Sequence, residues 1–164
     1  MRKITPVIGL LVMLLTACGY HPRGALELPS GMKNIYLLGA SAELKELFKT
    51  TMEASAIPMA NSPESAGLVI KILNEDVQRR VLSLSSGGTA NDFELEYRFD
   101  YQLVDANDQA LSTLQAIQIK REYYNNQAAV IAKDNEEKVI RNEMYQQAVR
   151  MLVNRASMAL QAPR

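Results

Sequence analysis

Between residues 92 and 103 apolar and polar side chains alternate without a break. Phe93, Leu95, Tyr97, Phe99, Tyr101 and Leu103 form one set; Asp92, Glu94, Glu96, Arg98, Asp100 and Gln102 form the other. Successive side chains of a strand point to opposite faces, so this period of two predicts a β-strand with one buried and one wet face. Asp105 to Gln109 then reads as a hairpin turn, and Leu111 to Tyr123 as a returning strand through Ile117 and Ile119. A sheet with its core on one side is therefore the frame into which the rest must fit.

Upstream, Leu68 to Leu73 is nearly all apolar and rich in β-branched residues, as a centrally placed strand buried on two sides would be. It resumes as Val77, Arg79 and Val81 in a shifted phase, which predicts a bulge or bend over Asn74 to Asp76. Ser85 to Thr89 is a flexible turn. Lys33 to Leu38 is a short first strand. Ser41 then offers an N-cap, with Glu43 in the first turn, where the helix dipole favours negative charge. Leu44, Leu47, Phe48 and Met52 follow at helical spacing, and Ile57-Pro58 closes that helix. After a loop over residues 61–67 and the strands above, the last element is a long helix. Asp134 reads as its N-cap, with Glu137 completing a capping box. Ile140, Met144, Ala148, Leu152 and Ala156 lie on its apolar stripe. The order β-α-β-β-β-α predicts an α+β fold, two helices packed on one face of a four-stranded mixed sheet.

The N-terminus has a different character. Arg2 and Lys3 precede an apolar run from Val7 to Leu15, too short to span a bilayer, which needs about 20 residues. This is the shape of a secretory signal. The run ends in Leu15-Thr16-Ala17-Cys18, where small residues fit a peptidase site and the only cysteine of the chain is placed to carry a lipid. The expected organisation is a signal peptide over 1–17, a lipidated tether over 18–31 containing Pro22, Gly24, Pro29 and Gly31, and a single domain over 32–162. More than one acyl chain gives stable attachment to a membrane. With Arg2 and Lys3 removed, 16 basic side chains face 18 acidic ones. No basic field exists to recruit nucleic acid.

Catalysis finds little support. The one histidine, His21, sits in the tether three residues from the lipidated cysteine, without the converging partners that a triad or a metal site needs. Ser86-Gly87-Gly88 is a hairpin tip rather than the strand-to-helix turn of a phosphate loop. Glu94 and Glu96 share a strand face with Arg98 and Gln102, the composition of a solvated surface. No catalytic residue, metal or cofactor is expected.

Cys18-Gly19-Tyr20-His21-Pro22-Arg23 resembles the start of the mature lipopolysaccharide-assembly lipoproteins, the small partners of the outer-membrane β-barrel that inserts lipopolysaccharide. Ala132 to Glu136, followed by Glu143-Met144-Tyr145, is similar to the helix entry of the same family. The resemblance implies two helices on a four-stranded sheet and a non-enzymatic role. The chain would plug the barrel lumen, assist barrel assembly and contact lipopolysaccharide, facing the periplasm from the outer membrane through its anchor. Gly19, where an Asp would resemble an inner-membrane retention signal, agrees with that location. For the anionic ligand it directs attention to Lys133, in a loop beside the last helix, and to a basic point near the hairpin tip. The tip here has no arginine, and the nearest cations are Arg79 and Arg80. The alternatives are a lipid carrier with an apolar pocket and a scaffold lipoprotein of a different barrel-assembly machine.

Overall fold

The computed structural model describes residues 33–124 and 130–161. The expected signal peptide, Cys18 and the expected tether lie outside the described residues. The elements are β1 (Ile35–Leu38), α1 (Ala42–Ala54), a single 3-10 turn (Pro63–Ser65), β2 (Leu68–Leu84), β3 (Ala90–Val104), β4 (Gln115–Tyr124) and α2 (Val130–Gln161). The strands are hydrogen-bonded in the order β1-β2-β3-β4. β1 runs parallel to β2, with Ile35 opposite Leu68, and the other pairs are antiparallel. The fold is the α+β arrangement that the sequence predicts.

One sheet face carries the core. Leu95, Tyr97, Phe99, Tyr101 and Leu103 of β3 are fully buried with Ile70 of β2 and Ile117 of β4. Leu44, Phe48 and Met52 from α1 close over them, as do Met144, Ala148, Leu152 and Ala156 from α2. At about 25 cal/mol per Å² of apolar surface removed from water, this layer dominates the stability of the domain.

The predicted irregularity in β2 is present. The register with β3 shifts between Leu73 and Asp76, and Asn74 adopts a positive φ of 52°. The bulge has a consequence that polar residues in a bend do not advertise. It turns the Glu75 carboxylate toward the helices, where Oε2 accepts from the Ser41 backbone N–H and Oε1 from the Ser41 hydroxyl, both at 2.7 Å. Tyr97 donates its hydroxyl to the same carboxylate at 2.7 Å. Ser41 in turn caps α1 by accepting from Leu44 N–H. One carboxylate thus joins the α1 entry, β2 and β3 and satisfies polar groups that burial would otherwise penalise.

Three boundaries differ from the sequence reading. α1 ends at Ala54, before Ile57-Pro58, because Ser55 and Ala56 turn the chain out, Ala56 at φ 55°. β4 begins at Gln115 rather than Leu111; Leu111 and Ser112 instead donate their N–H groups back to Leu103 O. α2 begins at Val130, so Asp134 lies inside the helix and is not its N-cap. Glu137, expected in a capping box, is used in tertiary contacts.

A polar sheet face and a basic cluster at the helix start

Both helices pack on one side, which leaves the other sheet face uncovered by them. Strand register puts Asp76, Arg98 and Gln118 in one row across β2, β3 and β4, then Gln78, Glu96 and Lys120, then Arg80, Glu94 and Glu122. Opposite charges therefore stand beside each other. Arg80 Nε lies 2.6 Å from Glu94 Oε1. Lys120 Nζ lies 3.7 Å from the same oxygen and 3.1 Å from Glu96 Oε2. Gln118 also donates to Glu96. The hydrogen bond from Gln118, then the contact with Lys120, holds the Glu96 carboxyl below its usual range. This face is less wet than alternation implies. Glu94 is only 5 % exposed, covered by the long stems of its two cationic neighbours. Asp100 is buried too, and it accepts from Asn74 Nδ2 at 2.8 Å.

Arg79 and Arg80 are adjacent in sequence but belong to opposite faces. Arg80 is held on the uncovered face by Glu94. Arg79 points to the helix side, where its guanidinium carbon sits 4.9 Å from the Phe93 ring centroid and Nη1 lies 3.2 Å from Glu137 Oε2. Tyr123 donates its hydroxyl to Glu137 Oε2 at 2.6 Å. Arg141 donates Nε and Nη2 to Glu137 Oε1 at 2.9 and 2.7 Å. Two guanidiniums and a phenol therefore converge on one carboxylate. Burial opposes ionisation of Glu137, but the hydrogen bonds from Tyr123 and Arg141 outweigh it and hold the carboxyl below its usual range. Burial, then the bond to Glu137, pushes the Tyr123 hydroxyl up to about 12.

Lys133 lies within α2, not in a loop before it. Its side chain is outside the described residues. It precedes Glu137 by four residues, one helical turn, and such positions share a helix face. The structure thus brings Arg79 to the first turns of α2 and keeps Arg80 away. The sequence reading had no signal for Arg141, which shares a carboxylate with Arg79.

The sequence profile of the lipopolysaccharide-assembly family matches residues 32–156. The chain is 23% identical over 154 residues to the LPS-assembly lipoprotein LptE of Photorhabdus laumondii, covering 93% of this chain and 84% of the relative. It is 22% identical to the protein of the same name from Pectobacterium atrosepticum, over 94% and 84% of the two chains. Among solved structures, lipoprotein B from Nitrosomonas europaea superposes with a TM-score of 0.71 at 27% identity, over 84% of this chain and 88% of that one. The rare lipoprotein B from Shewanella oneidensis gives 0.63 at 23%, over 76% and 95%.

Proposed function

The chain belongs to the lipopolysaccharide-assembly family, and on that footing we propose that it is a non-enzymatic lipoprotein of the outer membrane, anchored through Cys18, that plugs and helps assemble the β-barrel translocon for lipopolysaccharide. The observation that carries this reading is the uncovered sheet face. Its charges are arranged in neutralising rows rather than as a field of one sign. A barrel lumen is polar and needs hydrogen-bonding partners across it rather than apolar surface. A face of paired charges can meet such a lumen without leaving an isolated charge desolvated. Co-isolation with a barrel tests this reading.

The same proposal assigns lipopolysaccharide phosphates to the start of α2. Arg79 and Arg141 already bind one carboxylate there, so the geometry suits an oxyanion. Lys133 stands one turn earlier on that helix. Arg80, locked to buried Glu94 on the far face, is assigned a structural role instead. Lys133→Glu should weaken lipopolysaccharide binding by about 1 kcal/mol, roughly five-fold, and the loss should shrink as salt rises. Lys71→Glu is the control, because Lys71 lies on another part of β2, paired with Asp108 of the β3–β4 turn. Equal binding by wild type and Lys133→Glu at low salt would remove Lys133 from the site.

A further inference from the structure

The free end of the β2–β3 hairpin is layered in a way that neither a plug nor an anion site requires. Residues 81–91 carry no charge, in a chain that is 22% charged. Within them Val81, Leu82 and Leu84 are exposed, and Tyr124 at the end of β4 is exposed beside them in register with Asp92. Level with Val81, and behind the others, stand Tyr123 and Phe93, stacked at 5.5 Å. Behind these come four cations. Arg79 and Arg121 flank Leu95 on the helix side; Arg80 and Lys120 flank Glu94 and Glu96 on the other. Aliphatic tip, aromatic layer and a charged belt whose cations pair with Glu94, Glu96 and Glu137 follow in the order of acyl chains, interface and headgroups in a leaflet. Leu84 lies four residues beyond Arg80, about 13 Å along the strand, against the roughly 5–10 Å to which interfacial elements sink.

We infer that this end of the hairpin is a second membrane contact that docks on a glycerophospholipid leaflet before the barrel takes up the chain. The inference rests on the reading of Cys18 as the anchor. β1 runs parallel to β2, so the tether joins the sheet at the end away from the hairpin tip. β2 has 17 residues, about 55 Å of strand. A tether over residues 18–31 reaches about 45–50 Å when extended. With Leu84 sunk by roughly 5–10 Å, the start of β2 stands about 45–50 Å from the surface along the strand, within reach of the extended tether, so both contacts can rest on one leaflet with the hairpin pointing into it. Held at two points, the free chain would stand tip-down on the leaflet rather than swing on its tether.

Full-length mature chain in phosphatidylethanolamine–phosphatidylglycerol vesicles, free of any barrel and of lipopolysaccharide, provides the test. An environment-sensitive fluorophore is placed at Leu84→Cys, at Leu82→Cys and at Met158→Cys. Met158 is as exposed as Leu84, at 64 %, but lies near the end of α2. A lipid-modified Cys18 leaves each introduced thiol as the only reactive one. The expected result is roughly two-fold or greater quenching by nitroxide-labelled acyl chains at 82 and 84, with little at 158. Equal quenching at 84 and 158 would overturn the inference. So would a blue shift at 84 that arises only on adding lipopolysaccharide or a barrel protein. A free thiol at Cys18 by mass measurement would defeat the anchor reading separately; the three probes are then compared in a Cys18→Ser background at excess vesicles, with the same outcomes deciding.

Discussion

Phe99→Ala should destabilise the domain by about 3–5 kcal/mol, while Arg98→Ala, one residue earlier, should cost less than about 1 kcal/mol. Phe99 is fully buried in the middle of β3, its ring 5.5 Å from that of Tyr97. Its removal leaves a cavity under both helices, because neither backbone layer can collapse into the space. Arg98 projects from the opposite face, more than half exposed, and its ion pair with Asp100 is 3.7 Å long. Against a total stability of roughly 5–15 kcal/mol, the first change removes a large share. Thermal or urea melts of the two variants read the difference, and the reverse order would mean that the faces of β3 are assigned the wrong way round.

Gly39→Ala should be comparably damaging, at roughly 2–5 kcal/mol. Gly39 joins β1 to α1 with φ at +81°, where a side chain is strained. A Cβ built there would lie 2.5 Å from the carbonyl oxygen of Ile72, a backbone atom in the neighbouring strand. Relief requires moving either β2 or the Ser41 cap, and Ser41 is tied to Glu75 by two hydrogen bonds. Gly88 provides the comparison. Its φ is also positive, at +78°, but an added Cβ there meets open space. Gly88→Ala should therefore cost only about 1–2 kcal/mol. Melts in which the two variants lose equal stability would show that the close approach at Ile72 contributes nothing.

The elements with a clear hydrophobic period were legible in the sequence. The alternation of 93–103 fixed the faces of β3, and the shift of phase after Leu73 announced the bulge. What pairwise tertiary contact decides was not legible. Asn74-Glu75-Asp76 read as a polar bend, yet the bulge sends Glu75 to a serine thirty-four residues away. Asp134 followed by Glu137 has the spacing of a capping box, but the preceding residues continue the helix to Val130. Glu137 meets Arg79, which is fifty-eight residues distant. The wet face of β3 was predicted by period alone, and period does not show that Arg80 and Lys120 would fold over Glu94. The site suffered the same limitation. Arg79 and Arg80 were candidates together as neighbours in sequence, and strand geometry separates them to opposite faces.

Purification of the full-length chain through a C-terminal tag from detergent-solubilised outer membranes reaches the plug proposal most directly, with a photo-crosslinker at Gln118 on the uncovered sheet face. A plug predicts one β-barrel protein recovered in equal amount with the chain and cross-linked to it from Gln118. Recovery of the chain without a barrel, or with a barrel that Gln118 never captures, would contradict it.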